Sequence, residues 1–234
     1  MRNRGERVLS REKKKAVVLL SGGIDSATCL YWAKNKGYVL EALTVHYGQR
    51  HDRELRSARR IAKAAGARLH ALKITLPWLN SSSLINKGKR LPNVALSKIG
   101  TGGVPSTYVP GRNTIFTALG VSLADAVGAE CVVIGANALD YSGYPDCRPE
   151  FYRAFNVVAR LGTKRGDQNK PLRIETPLVR KDKAAIVRMA GRLHVPLRWT
   201  WSCYLGGRKP CGACDSCKLR EKGFEEARIK DPAL

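Results

Sequence analysis

Short, continuous apolar runs alternate along the first half of the chain with stretches whose apolar positions recur at helical spacing. Ala16-Val17-Val18-Leu19-Leu20 is such a run, the mark of a strand covered on both faces. A helix is predicted from about Ser26 to Lys36, stopping at Gly37. Val39 to Tyr47 reads as a second strand. Leu55, Ala58, Ile61, Ala62 and Ala65 then fall on one helical face and end at Gly66, and Arg68 to Ile74 reads as a third strand. Helical period returns with Ile115, Phe116, Leu119, Leu123 and Ala126, before a fourth buried strand at Cys131 to Gly135. Alternation of this kind predicts βαβ units, hence an α/β, doubly wound, mainly parallel sheet covered by helices. After Glu150 the pattern turns mostly helical, with Asp182 as N-cap of a helix carrying Ile186, Val187, Ala190 and Leu193. The division expected is an arm at 1–15, an α/β unit at 16–180 and a helical, cysteine-bearing segment at 181–234. Between Pro77 and Pro110 the pattern weakens into a long loop or lid, a feature usually functional or mobile.

Composition narrows the class. The 234 residues are 44% hydrophobic and 26% charged, which excludes a disordered tail, a fibre or a small disulfide scaffold. Lys+Arg number 42 against 19 Asp+Glu, a net charge of +23 that attracts anions. Residues 1–15 form a basic arm without apolar period. No stretch approaches the roughly 18 apolar residues of a membrane helix, and the first apolar run is shorter than the core of a signal peptide, about 7–15 residues. A cytoplasmic protein is expected.

Two segments carry chemistry on their own terms. Ser21-Gly22-Gly23-Ile24-Asp25-Ser26 links the first strand to the first helix, at the edge where open α/β sheets bind ligands. Adjacent glycines let backbone approach a ligand, two hydroxyls add donors, and the helix start offers free N–H groups. That is a cradle for a phosphate chain, although neither the Gly-Lys-Ser/Thr of a Walker loop nor G-x-G-x-x-G is present. Near the C-terminus, Cys203, Cys211, Cys214 and Cys217 put four thiols within fifteen residues of glycine-rich chain. Four soft ligands suit a closed, structural Zn²⁺ site, one ion per chain. An iron–sulfur cluster is the competitor, and a redox dithiol would leave two cysteines unexplained. His194 reads as a packed or surface histidine.

Three further polar strings flank the predicted strands and should converge above the same sheet edge: Tyr47-Gly48-Gln49-Arg50-His51, Tyr108 to Asn113, and Asn137 to Glu150.

The S-G-G-x-D-S string resembles the pyrophosphate (PP) loop of the N-type ATP pyrophosphatases, which adenylate a substrate oxygen and release pyrophosphate. Together with Y-G-Q-R-H, T-Y-V-P-x-R-N-T-I-F, D-Y-S-G-Y-P-D-C-R-P-E-F, T-W-S-C-Y and C-G-x-C-D-S-C-x-L-R, from about Val17 to Pro232, the chain resembles the 7-cyano-7-deazaguanine synthase family. Gly111 departs from the pattern, standing where Ala is expected, and so do the basic arm and the overall charge. The resemblance implies an ATP-dependent ligase of queuosine biosynthesis. It would turn 7-carboxy-7-deazaguanine and free ammonia into the nitrile through adenylated carboxylate and amide intermediates, with ATP and Mg²⁺. ATP would sit on Leu20, Ser21, Gly22, Gly23, Ile24, Asp25 and Ser26. Asp25 would orient Mg²⁺ or cap the helix. Arg112 would pair with the substrate carboxylate or a phosphate, its planar fork suiting both. His51 is the candidate proton carrier. Asp140, Asp146 and Glu150 would accept from the deazaguanine ring, and Tyr141 or Tyr144 would stack on it. Tyr47, Gln49, Arg50, Asn113 and Arg148 complete the expected substrate contacts, with carboxylate ion pairs as the plainer role for Arg50 and Arg148. Small-molecule substrates rather than direct nucleic-acid binding, and a homodimer, are expected from the same likeness, and no membrane association is expected from the short apolar runs.

Rival readings remain on sequence grounds. A tRNA thiolase would suit the charge and the metal knot but needs a reactive cysteine, for which Cys29, Cys131 and Cys147 are the candidates. A non-catalytic nucleic-acid module leaves the phosphate loop unexplained. A relative attaching the deazaguanine to another acceptor keeps the fold and changes the product.

Overall fold

The computed structural model describes residues 13–138 and 143–233. Most of the basic arm, and the candidates Asp140 and Tyr141, lie outside the described residues. Five strands form one parallel sheet in the order β3-β2-β1-β4-β5. They are β1 (Lys15–Leu19), β2 (Val39–His46), β3 (Arg68–Lys73), β4 (Cys131–Val133) and β5 (Arg173–Glu175). Helices α1 (Ile24–Asn35) and α2 (Arg53–Ala65) lead outward from β1 to β3. The chain then crosses back through α3 (Arg112–Val127) to pair β4 against the other side of β1. Helices α4 (Pro149–Leu161) and α5 (Lys164–Asp167) follow, then β5, α6 (Lys183–Arg192) and α7 (Asp215–Ala227). Strand order therefore reverses between β1 and β4, the switch point at which doubly wound sheets open a crevice.

The period-two alternation of β1 divides the core. Ala16 and Val18 face a cluster with Ala27 and Leu30 of α1, Ile61 of α2 and Ile186, Val187 and Ala190 of α6. Val17 faces the opposite cluster with Val121 and Ala124 of α3 and Tyr152, Phe155 and Ala159 of α4. Helices on both faces of a parallel sheet are the predicted architecture. Asp182 caps α6 as expected, its side chain accepting from Ala185 N at 2.7 Å. Gly66 ends α2 at φ 74°, in the left-handed region that suits glycine.

Three local expectations change. β5 does not register as an apolar run, because only Ile174 of its three residues is buried; it exists by pairing with β4. Helix α1 begins two residues earlier than predicted, because Ile24 is buried and extends its apolar face. The loop from 77 to 110 holds only two short 3-10 turns, Pro77–Ser81 and Leu96–Lys98, but is tied down by polar bonds. Ser82 and Ser83 donate to Thr107 O and Ser106 O, and Val94 N donates to Asp215 of α7.

Candidate active site

The loop after β1 is folded around one hydroxyl. Ser26 Oγ accepts from Ser21 N (3.2 Å) and Gly22 N (3.3 Å), lies 3.0 Å from Ser21 Oγ, and donates to Gly23 O. Gly22 adopts φ +93°, and a Cβ there would stand 2.3 Å from Glu54 O, so neither conformation nor space admits a side chain. The turn delivers the first N–H groups of α1 to the crevice, where a helix start attracts anions. Leu20 and Ile24 are buried and hold the loop from below.

Asp25 does not cap α1; the N-cap is Gly23, without a side-chain bond. Its carboxylate instead accepts from Lys183 Nζ at 2.8 and 2.7 Å and from Asn137 Nδ2 at 3.0 Å. Lys183, the first residue of α6, was not foreseen as a site residue. It lies more than 150 residues from Asp25, and only packing of α6 on α1 joins them. Its stem runs against Gly223 of α7, where a Cβ would come within 2.3 Å of Lys183 Cγ. Together these residues place a cation beside the phosphate cradle.

A cavity of about 320 Å³ opens above the sheet edge, within the range of small-molecule sites, about 300–1,000 Å³. Its wall takes in the loop, Tyr47, Gln49, Arg50, His51, Arg112, Asn113 and Tyr144, so the three polar strings do converge. Arg112 donates weakly to Tyr47 OH at 3.5 Å. Burial works against its charge, but Tyr47, Tyr144 and Cys147 around it outweigh that, and its pKa is raised. Tyr47 packs edge-on against Phe116, Gln49 Oε1 accepts from Tyr47 N, and Tyr144 OH lies 2.7 Å from Thr107 Oγ1.

Several expected contacts are placed differently. Glu150 is exposed and pairs with Arg153 at 2.9 Å, and Arg148 is exposed at the start of α4; neither lines the cavity. Their string turns outward once Pro149 opens a helix. Arg50 makes no carboxylate pair among the described residues: it donates to the carbonyls of Ser83, Asn86 and Lys89, clasping the long loop. Asp146 is buried behind the wall; its Oδ2 accepts from Asn113 N at 3.0 Å while Oδ1 has no partner among the described residues. His51 donates from Nε2 to Cys203 O at 3.0 Å, which fixes that nitrogen as the protonated one because a carbonyl only accepts. Burial lowers its pKa, and its Nε2 proton is committed to the carbonyl.

The four cysteines do assemble. Their Sγ atoms all lie within 4.8 Å of one another, and those of Cys211 and Cys217 are 3.9 Å apart. A tetrahedron with Zn–S bonds of about 2.3 Å has edges of about 3.8 Å, so the set fits such an ion. Hydrogen bonding from Cys217 and from backbone N–H groups lowers the Cys214 thiol, and the same pairing raises that of Cys217, so the two share a proton. The knot is wired to the phosphate loop: Trp201 N donates to Gly22 O, and Trp201 Nε1 and His51 share the Cys203 carbonyl. Gly206 (φ +67°) is needed because a Cβ would fall 2.2 Å from His51. Cys29 and Cys131 are fully buried and burial pushes both thiols up, Cys131 to about 11, which removes them as nucleophiles. Cys147 Sγ accepts from Asn113 Nδ2 at 3.0 Å.

A strand–turn–helix phosphate cradle at the switch point, a cation beside it and a closed thiol cluster behind it define a nucleotide-binding α/β protein of the PP-loop class. The family model described as Queuosine biosynthesis protein QueC matches residues 15–228, and the chain belongs to that family. It is 50% identical over 226 residues to the 7-cyano-7-deazaguanine synthase of Anaeromyxobacter sp. (strain Fw109-5), covering 96% of this chain and 97% of that protein. The synthase of Thermoplasma acidophilum is 47% identical over 221 residues, 94% of this chain and 92% of its own length. Among solved structures, NMN synthetase from Francisella tularensis aligns with TM-score 0.49 and 14% identity, covering 94% of this chain and 89% of that one. No described helix is long and apolar enough to cross a membrane.

Proposed function

We propose that this chain is an ATP-dependent ligase that converts 7-carboxy-7-deazaguanine and ammonia to 7-cyano-7-deazaguanine, releasing AMP and pyrophosphate, in queuosine biosynthesis. The observation that carries this is the shared cavity, in which the loop at 20–26 and the Asp25–Lys183 pair face Arg112. The loop N–H groups and Lys183 hold the phosphates of ATP and meet the charge that develops as pyrophosphate leaves. Arg112 grips the substrate carboxylate and aims one oxygen at the α-phosphorus, so the gain is chiefly positional. Asn113, Tyr47, Gln49 and Tyr144 form the ring end of the cavity. Asp146 backs it, accepting from Asn113 N and so fixing the start of α3 at that end of the cavity. Two rounds of adenylation at this place, first on the carboxylate and then on the amide oxygen, lead to the nitrile.

Asp25 is a positioning residue for Lys183 in this reading, since both its oxygens are engaged. His51 likewise fixes the pocket wall to Cys203 rather than carrying protons. Mg²⁺ bound with ATP would supply charge neutralisation on the phosphates. Cys203, Cys211, Cys214 and Cys217 would hold Zn²⁺, which would supply a cross-link that closes the C-terminal segment. Residues 16–180 act as the nucleotide-binding unit, and 181–234 as the cover that contributes Lys183. None of the seven cysteines, all of them among the described residues, forms a disulfide, which suits the reducing cytoplasm. Exposed Val157, Val158 and Leu161 on α4 supply an apolar face for a homodimer, a state that sedimentation measures.

The test is mass spectrometry of purified protein with ATP, Mg²⁺, ammonium and 7-carboxy-7-deazaguanine. Nitrile together with AMP is the expected result. AMP without nitrile moves the assignment to another acceptor or nitrogen donor, and no AMP from a folded, zinc-replete sample overturns it.

A further inference from the structure

One acidic group in the cavity has no part in the account so far. Glu54 lies in the first turn of α2, on the cavity wall, three residues beyond the Y-G-Q-R-H string. Its backbone carbonyl abuts Gly22, where even a Cβ would come within 2.3 Å, so it borders the phosphate loop directly. That is the reacting end of the cavity, whereas Asn113 and Tyr144 mark the ring end. Among the described residues no hydrogen bond or ion pair holds its carboxylate. The charge that acts on it is that of Arg112. The other charged side chains on the wall are Arg50 and the Asp25–Lys183 pair, with His51 hydrogen-bonded to Cys203 O, so among the described residues Glu54 is the one uncommitted acid in a pocket rich in cations.

An acid in the first turn of a helix ordinarily has a stabilised carboxylate. Here burial pushes Glu54 up to about 7, with Arg112 offsetting part of that rise. A carboxyl balanced near neutrality, in a pocket of cations and next to the acyl-transfer locus, is suited to one small cation that must lose a proton there.

We infer that Glu54 is the ammonium site and general base of the amide-forming step, an inference that rests on the ligase reading above. Ammonium binds the carboxylate and gives it one proton. The freed nitrogen lone pair forms the C–N bond to the adenylated carboxyl carbon. The C–O bond to AMP breaks, its electron pair leaves on the phosphate oxygen, and the second N–H proton passes to that phosphate or to solvent. Glu54 then returns its proton to water.

The experiment separates the half-reactions. ATP–pyrophosphate exchange with 7-carboxy-7-deazaguanine and Mg²⁺, without ammonium, reports adenylation alone; amide and nitrile formation report the nitrogen step. Glu54→Gln should keep exchange within about twofold while lowering kcat/KM for ammonium by about 10²–10⁴, the range of a lost general base. Wild-type kcat/KM for ammonium should rise through an apparent pKa near 7; the variant should lose that limb and recover at alkaline pH as free ammonia grows. Glu54→Asp, which keeps the charge, should retain part of the ammonium step and serves if the Gln variant folds poorly. Equal loss of both half-reactions, exchange restored by raised Mg²⁺, or a raised KM for the deazaguanine with unchanged ammonium dependence would each overturn the assignment. Absence of exchange in the wild type would instead count against the ligase reading itself.

Discussion

Replacing Gly223 by alanine tests whether Lys183 is held in place by packing from α7. The new Cβ would lie 2.3 Å from Lys183 Cγ and 3.0 Å from its Cβ, where ordinary contact begins at 3.4 Å. The Lys183 stem must therefore retreat by 3.4 − 2.3 = 1.1 Å. Its Nζ now sits 2.7 and 2.8 Å from the Asp25 oxygens, so a shift of that size carries it beyond 3.5 Å, outside hydrogen-bonding range. A misplacement of about 1 Å in a positioned group costs about 10²-fold in rate. Stability should change little by comparison. Gly to Ala within a helix gains about 1 kcal/mol, and overpacking costs about 1–3 kcal/mol, so the balance runs from neutral to a loss of about 2 kcal/mol. In a chain of this size that is at most about 8 °C in Tm. ATP–pyrophosphate exchange should fall about 10²-fold in Gly223→Ala, fall at least as far in Lys183→Met, and fall no further in the double variant, because both act through one side chain. Wild-type exchange in Gly223→Ala, or losses that simply add in the double variant, would refute the packing argument.

Cys214→Ser should drop bound zinc well below one per chain and lower Tm, since structural metal contributes to folding free energy; full zinc content and unchanged Tm would contradict the four-thiol site. Arg220 and Asp231, both buried, form a two-point ion pair, and Arg220 Nη1 also donates to Thr200 Oγ1 at 3.0 Å. Arg220→Met should cost about 3–5 kcal/mol by stranding Asp231, read by urea denaturation, with much of it restored when Asp231 is also made apolar. The pKa of Glu54 is raised by folding, from 4.5 to about 7, so the folded state binds the extra proton between those values. Its contribution is fully present below pH 4.5 and is lost as pH rises through 7. The drop in Tm from pH 5 to 8 should thus be smaller in Glu54→Gln than in the wild type; an equal drop would mean the carboxyl titrates normally.

The strands β1 to β4, the helices between them, the phosphate loop and the thiol cluster were legible in the sequence, because each is a local pattern. A fully covered strand must be apolar throughout. A turn that meets phosphate with backbone must be glycine-rich, and a closed metal site carries its ligands at short spacing. Strand β5 was not legible, because a three-residue edge strand with one buried side chain owes its existence to its neighbour. Neither Lys183 nor Glu54 belongs to any local string. The first reaches Asp25 only because α6 packs on α1 and α7 leaves room at Gly223, and the second meets the loop only because Gly22 admits α2 so closely. Tertiary structure also withdrew Glu150 and Arg148 to the surface and committed Arg50 to the long loop and His51 to the cysteine knot. Neighbouring residues in a loop or helix point in different directions, about 100° apart in a helix, and a string alone does not say which of them faces the ligand. Chemistry that depends on the backbone's local shape was written in the sequence. Charges acting across the cavity were decided by the packing of elements distant along the chain, where spacing carries no information.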